Sequence, residues 1–98
     1  MDSSQSQERC VRVRIEGLVQ GVGFRAWVMH TAMAIGLDGW VRNRRDGGVE
    51  AVFAGPSEAV ADMVERCHEG PRAAEVNLVK VLDECSSVAP GFDVRPTI

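Results

Sequence analysis

The chain has 98 residues, of which 45% are hydrophobic and 26% are charged, and its formal net charge at pH 7 is −3. This length suits one domain with one core, and no apolar stretch approaches the roughly 20 residues that cross a membrane. The acidic balance disfavours nucleic-acid binding, which usually depends on a basic face. The polar start of the chain, rich in Ser, Gln and Glu, predicts a disordered tail over residues 1–8, followed by a domain over residues 9–98.

The first predicted elements are a strand and a helix. Residues 10–17 alternate between apolar and polar side chains, which is typical of a half-buried strand. Over residues 24–35 the apolar side chains recur at helical spacing. Gly36 suits the C′ position at which helices end. The domain is therefore predicted to begin with β-α.

A β-hairpin and a second helix are predicted next. Strands over residues 37–43 and 48–54 flank Asp46-Gly47, a dipeptide that favours hairpin turns. Ser57 is a suitable N-cap for the second helix, and Gly70-Pro71 is expected to stop it. These elements extend the order to β-α-β-β-α.

A fourth strand over residues 76–82 and a short edge strand over residues 91–94 complete the predicted elements. Right-handed crossovers fold the order β-α-β-β-α-β into a ferredoxin-like α+β sandwich, with one antiparallel sheet and both helices on one face. Arg12 and Arg14 of the first strand suit the other face of the sheet, which would be open to solvent.

Three cysteines, Cys10, Cys67 and Cys85, are far apart in the sequence and form no CxxC motif. An odd number at these spacings suggests neither a zinc site nor a disulfide framework. We therefore expect reduced thiols and a cytoplasmic protein. Core positions are expected for Cys10 and Cys67, while the sequence suggests no role for Cys85.

The loop before the first helix has the composition of an anion-binding site. A helix begins with amides that have no partner in the helix, and a side chain usually caps them. Here Gly21 and Gly23 precede the helix, and Arg25 lies in its first turn, where a cation costs about 0.3–1 kcal/mol. A bound anion, held by the free amides and by the guanidinium of Arg25, would explain both departures. The alternative is an ordinary glycine turn with a solvated Arg25.

Asn43 ends the second predicted strand and is the uncharged residue of the hairpin that is a candidate for a functional role. In the predicted topology, strands one and three are neighbours, so the end of strand two comes near the start of the first helix. A side-chain amide donates and accepts hydrogen bonds, so it can hold and orient a water molecule. The alternative is that Asn43 simply opens a turn, where Asn is common.

Both stretches resemble the signature motifs of the acylphosphatases. The first reads Gly-Leu-Val-Gln-Gly-Val-Gly-Phe-Arg over residues 17–25, and the second begins Gly-Trp-Val-Arg-Asn at residue 39 and ends at Gly55. With the order of the elements, the similarity covers residues 9–95. Membership implies hydrolysis of the carboxyl-phosphate bond of small acyl phosphates to a carboxylate and inorganic phosphate.

The resemblance also implies a role for each matched residue. Arg25 matches the arginine that binds phosphate, and Asn43 matches the asparagine that positions the attacking water. Gly23 stands where some members carry a bulkier residue, a change that should not disturb binding by backbone amides. The loop whose amides would surround the phosphoryl oxygens comprises Gln20, Gly21, Val22, Gly23 and Phe24.

Phosphoryl transfer from an acyl phosphate depends on positioning and charge stabilisation, so neither a metal nor a cofactor is expected. His30 and His68 are expected at the surface or in packing roles. The expected ligands are a small acyl phosphate as substrate and inorganic phosphate as product and competitive inhibitor. We expect a monomer that binds neither nucleic acid nor membranes.

Two other classes share parts of the pattern. Acylphosphatase-like domains also begin large hydrogenase-maturation proteins, which continue into cysteine-rich zinc segments; none follows here, so a free-standing enzyme is expected. RNA-recognition domains share the order of the elements but need exposed aromatic residues and a basic surface. Phe53 is the only aromatic residue of the predicted third strand.

Overall fold

The computed structural model describes residues 7–98, so residues 1–6 of the predicted tail lie outside it. The predicted order of elements is confirmed, and the first strand begins at residue 8, two residues before the predicted start. The elements are β1 (Glu8–Leu18), α1 (Phe24–Ile35), β2 (Asp38–Asn43), β3 (Val49–Pro56), α2 (Ser57–Cys67), β4 (Glu75–Glu84) and β5 (Phe92–Val94).

The five strands form one sheet in the order β4-β1-β3-β2-β5, with both helices packed on one face. The pairs β1–β3, β1–β4 and β2–β3 are antiparallel, as predicted. The prediction of a wholly antiparallel sheet is wrong at one edge, because β5 runs parallel to β2. The chain leaves β4 at the end of the sheet where β2 starts, and Phe92 of β5 pairs there with Gly39.

The core lies between the sheet and the two helices. Val11, Val13 and Ile15 of β1 are fully buried, as the alternating pattern of the strand predicts. Phe24, Val28 and Ala32 of α1 pack into the same core. The other face of the sheet carries the polar side chains. None of the helices within residues 7–98 has the length and hydropathy of a membrane span.

The ends of the two helices differ in how well the sequence predicted them. Helix α1 has the predicted bounds, and Gly36 adopts the left-handed conformation at its C-terminus, with a φ of 91°. Ser57 is not the N-cap of α2, because β3 enters the helix directly and Pro56 takes the capping position. The amide of Ser57 donates to the carbonyl of Gln7 instead, and α2 ends at Cys67, before Gly70.

A buried carboxylate organises the other face of the sheet. Glu50 is 5% exposed and accepts hydrogen bonds from Arg12 at 2.8 Å, Arg42 at 2.9 Å and Arg44 at 3.1 Å. Burial alone would raise the pKa of Glu50, but these hydrogen bonds outweigh it and hold the pKa below its ordinary value. Arg14 pairs with Glu16 and Asp46, so both predicted surface arginines are engaged in ion pairs.

The prediction of reduced thiols is wrong for two of the three cysteines, because a disulfide joins Cys10 to Cys85. They are 75 residues apart in sequence, but β1 and β4 are antiparallel neighbours and bring their Cα atoms within 5.0 Å. The amide of Cys85 also donates to the carbonyl of Cys10 at 2.8 Å. Cys67 is free and buried in the core, where burial raises the pKa of its thiol to about 12.

Candidate active site

The loop between β1 and α1 lies at the end of the sheet opposite to the disulfide. Gly21 and Gly23 both adopt the left-handed conformation, with φ angles of 76° and 79°. Glycine enters this region at little cost, so the loop can turn sharply before the helix. Gly23 occupies the N-cap position of α1, and no side chain from residues 7–98 caps the helix. The uncapped helix start that the sequence predicts is therefore confirmed.

The backbone amides at this helix start are free to bind a ligand. Within the described residues 7–98, the first backbone hydrogen bond of the helix runs from Trp27 to the carbonyl of Gly23, at 3.0 Å. No amide from Gly21 to Arg25 donates to a backbone carbonyl in that part of the chain. The first turn also contains no acidic side chain. Such a set of amides favours an anion.

Arg25 lies in the first turn of α1 and is half-buried. In the part of the chain that the structure describes, it forms no ion pair, whereas Arg12, Arg14, Arg42 and Arg44 all contact carboxylates. Its guanidinium adds a permanent positive charge and a planar set of donors to the helix start. Both features suit a phosphoryl group.

Asn43 ends β2 beside this loop and is 9% exposed. Its backbone pairs with Val49 of β3, and its carbonyl accepts from the amide of Ile98 at 3.3 Å. Its side-chain oxygen Oδ1 is buried and has no hydrogen-bond partner among the described residues. A buried acceptor without a partner costs about 1–3 kcal/mol. Within the described residues, this oxygen therefore does not close a local turn, which was the alternative role for Asn43.

One cleft of about 320 Å³ brings these groups together. Five of the residues predicted for the site line it, and so do four that were not predicted. The predicted residues are Gly21, Gly23, Phe24, Arg25 and Asn43, and the others are Val19, Ala26, Met29 and Val94. Arg25 and Asn43 carry the only polar side chains of this lining, so the rest of the wall is apolar.

Three predicted loop residues have side chains that serve the fold. Phe24 is 1% exposed and its ring packs against Trp27 in the core, so only its backbone can contact an anion. Val22 packs against the same core and does not line the cleft. Gln20 also lies outside the lining, and its side-chain amide donates to the carbonyls of Arg44 and Gly48.

Sequence reasoning missed the apolar wall of the cleft. Met29 lies four residues after Arg25 on α1, so helical spacing alone could have placed it on the same face. Val94 belongs to β5, which reaches this end of the sheet because it runs parallel to β2. Because the sheet was predicted to be wholly antiparallel, the sequence did not indicate that Val94 would line the cleft.

Other reactive side chains lie outside this cleft. His30 and His68 are exposed, as predicted. A second cleft, of about 370 Å³, lies beside the disulfide at the opposite end of the sheet. Its one cation, Arg9, pairs with Glu84 at 3.2 Å, and Glu8 and Asp38 leave the lining with an excess of negative charge. The amides, the cation and the buried amide side chain occur together only at the start of α1, within the described chain.

The chain is similar to known acylphosphatases along most of its length. The family model for acylphosphatase matches residues 11–94. An acylphosphatase of Rhizorhabdus wittichii is 51% identical over 87 residues, which cover 89% of this chain and 88% of that relative. The solved structure of an acylphosphatase from Coxiella burnetii has a TM-score of 0.87 at 35% identity, covering 97% of this chain and 100% of that one. The acylphosphatase from Bacillus subtilis has a TM-score of 0.83 at 35% identity, covering 91% and 99%.

Proposed function

Since the chain belongs to the acylphosphatase family and is therefore an acyl phosphate hydrolase, we propose a mechanism in which water oriented by Asn43 attacks the phosphoryl group directly. Arg25 and the amides at the start of α1 hold that group. One observation carries the proposal: an uncapped helix start, the nearly buried Asn43 and an arginine that has no ion pair within residues 7–98 line the same cleft.

The binding step follows from the charges of the two partners. The transition state of phosphoryl transfer spreads negative charge over three equatorial oxygens. The amides from Gly21 to Arg25, which donate to no backbone carbonyl within residues 7–98, would donate to these oxygens, and the guanidinium of Arg25 would supply a bidentate contact. Because these groups are in place before substrate binds, little reorganisation is needed as charge develops.

The chemical step needs no protein nucleophile. The side-chain amide of Asn43 hydrogen-bonds to the attacking water and aims the water oxygen at phosphorus, in line with the carboxylate. The bond from water oxygen to phosphorus forms while the bond from phosphorus to the acyl oxygen breaks, and the electron pair leaves with the carboxylate. A phosphoryl oxygen of the substrate takes the proton from water. Arg25 and the amides supply the positive charge, so the mechanism needs no metal ion.

One further ligand prediction follows from this scheme. Inorganic phosphate presents the same oxygens as the substrate, so we propose that it competes for the cleft. The monomeric state and the cytoplasmic location stay predictions. The location no longer has reduced thiols as its support, because Cys10 and Cys85 are joined.

The direct test is phosphate release from benzoyl phosphate in the presence of a chelator. We expect turnover by the unmodified protein and a fall in kcat of about 10² or more for Asn43→Ala, with the inhibition constant of phosphate nearly unchanged. Asn77→Ala changes an exposed asparagine of β4 outside the cleft and serves as the matched control. Loss of activity in the chelator, or loss of phosphate binding in Asn43→Ala with unchanged kcat, would contradict the mechanism.

A further inference from the structure

The side chain of Gln20 connects the two segments that form the site. Its Nε2 donates to the carbonyl of Arg44 at 2.7 Å and to the carbonyl of Gly48 at 2.8 Å. These carbonyls belong to the turn between β2 and β3, and Arg44 directly follows Asn43. One amide group of the phosphate-binding loop therefore holds both ends of the turn that begins at the candidate water-binding residue.

Both hydrogens of this amide are used by the turn, so they are not available to an anion. The turn closes with a hydrogen bond from the amide of Arg44 to the carbonyl of Gly48 at 2.8 Å, and Gln20 adds a second donor to that carbonyl. Gln20 is half-buried and lies outside the cleft lining. Its side chain acts on the shape of the site without contacting the cleft.

Gln20 supplies two side-chain hydrogen bonds between the loop and the turn, and the ion pair of Arg14 with Asp46 also ties the turn to β1. In the loop, Gly21 and Gly23 lie on both sides of Val22 and adopt left-handed conformations. Because glycine can adopt many backbone conformations, the loop is free to bend at both positions. The turn contains Gly47, with a φ of 100°. In-line attack requires the water and the phosphorus atom to be aligned, and a misplacement of about 1 Å can cost 10²-fold in rate.

We propose that Gln20 is a positioning residue that sets the distance and angle between the phosphate-binding amides and Asn43. The inference rests on the proposed function, because it assigns the two joined segments to phosphate binding and to water orientation. The sequence motif placed Gln20 among the substrate-binding residues, and its contacts give the side chain a different task. A purely structural role would lower stability without changing the alignment of water and phosphate.

The first test is Gln20→Met, which keeps the length of the side chain and removes both donors. We expect kcat for benzoyl phosphate to fall about 10- to 100-fold, with the inhibition constant of phosphate changed less than about threefold. Val60→Ala is the control, because it removes packing from the buried face of α2 and Val60 is not among the residues that line the cleft. Thermal unfolding verifies that each variant is folded at the assay temperature.

The second test is a double-mutant cycle with Asn43→Ala. If Gln20 acts by aligning Asn43 with the phosphate, Gln20→Met adds less than about a twofold further loss of kcat once the Asn43 side chain is absent. Independent roles would instead multiply the two losses. Gln20→Asn keeps the donors on a shorter side chain, and it replaces Gln20→Met in the cycle if the methionine variant does not fold.

Failure of this inference differs from failure of the mechanism on which it rests. An unmodified protein that releases no phosphate overturns both. If the unmodified protein and Asn43→Ala behave as proposed, three results overturn the role of Gln20 alone. These are a kcat of Gln20→Met within twofold of the unmodified protein, an equal loss of kcat in Val60→Ala, and a multiplicative double variant.

Discussion

Arg25 differs from the arginines of the sheet face in what it contacts. Arg12, Arg42 and Arg44 share the buried Glu50, and each of their charges has a carboxylate partner. Arg25 has no such partner within residues 7–98, although the protein carries an excess of acidic residues. A cation placed at the positive end of a helix, with no carboxylate beside it, is unfavourable until an anion binds.

Arg25→Lys is therefore expected to behave like Arg25→Ala. Both should lower kcat/KM by about 10²–10³, because an ammonium group cannot reproduce the planar, bidentate contact. Phosphate is expected to raise the melting temperature of the unmodified protein, and this rise should be lost in both variants. Arg66→Ala on the exposed side of α2 is the control and should keep both activity and the phosphate effect. A lysine variant that retains activity would show that charge alone suffices.

At the scale of elements, the sequence predicted helix α1 better than α2. The apolar spacing and Gly36 define α1, and its uncapped start is itself the signal for the site. Ser57 has the right side chain for an N-cap, but β3 continues into the helix and the Ser57 amide already bonds to Gln7. Capping preferences describe isolated helix ends, and a strand that enters the helix directly overrides them.

The sheet face offers a test of acid stability through Glu50. Its pKa is held below the ordinary value of 4.5, so its contribution to stability is fully present above that value and is lost as the pH falls through the lowered pKa. Glu50→Gln should lower the free energy of unfolding at pH 7 by about 1–3 kcal/mol, since Arg42 and Arg44 lose their carboxylate partner and Arg12 keeps only Asp83.

Urea unfolding between pH 3 and pH 7 measures this effect. The unmodified protein should lose stability below pH 4.5 more steeply than Glu50→Gln, and the two curves should converge in acid. The exposed Asp83 can be compared with the buried Glu50, because Arg12 lowers the pKa of both carboxylates. Parallel curves for the unmodified protein and Glu50→Gln would show that Glu50 is not the group that titrates.

At the scale of the whole molecule, pairing between distant segments was the least predictable feature. Local patterns located the strands and helices, and the motif located Arg25 and Asn43. They could not show that Cys85 lies opposite Cys10, or that Val94 joins the cleft wall. Both contacts depend on the path from β4 around one end of the sheet to β5. That path has no periodic signal in the sequence.

The disulfide should stabilise the fold without affecting catalysis. Replacing Cys10 and Cys85 by Ala should lower the free energy of unfolding by about 2–4 kcal/mol, because the bond closes a loop across a sequence separation of 75. The value of kcat should stay within about twofold, since the bond lies at the far end of the sheet from Arg25. A reductant should lower the stability of the unmodified protein to that of the double variant and leave the variant unchanged. No effect of reductant on the unmodified protein would contradict this.

The two ends of the sheet also divide the surface into an end with the candidate active site and an end with the disulfide. Residues 86–87, which follow the disulfide, are exposed and lie away from the opening beside α1. A solid support or a fluorescent label coupled there would leave the entry of small molecules unobstructed. The same chain could thus be immobilised in a fixed orientation, with every copy presenting its open cleft to the flowing solution.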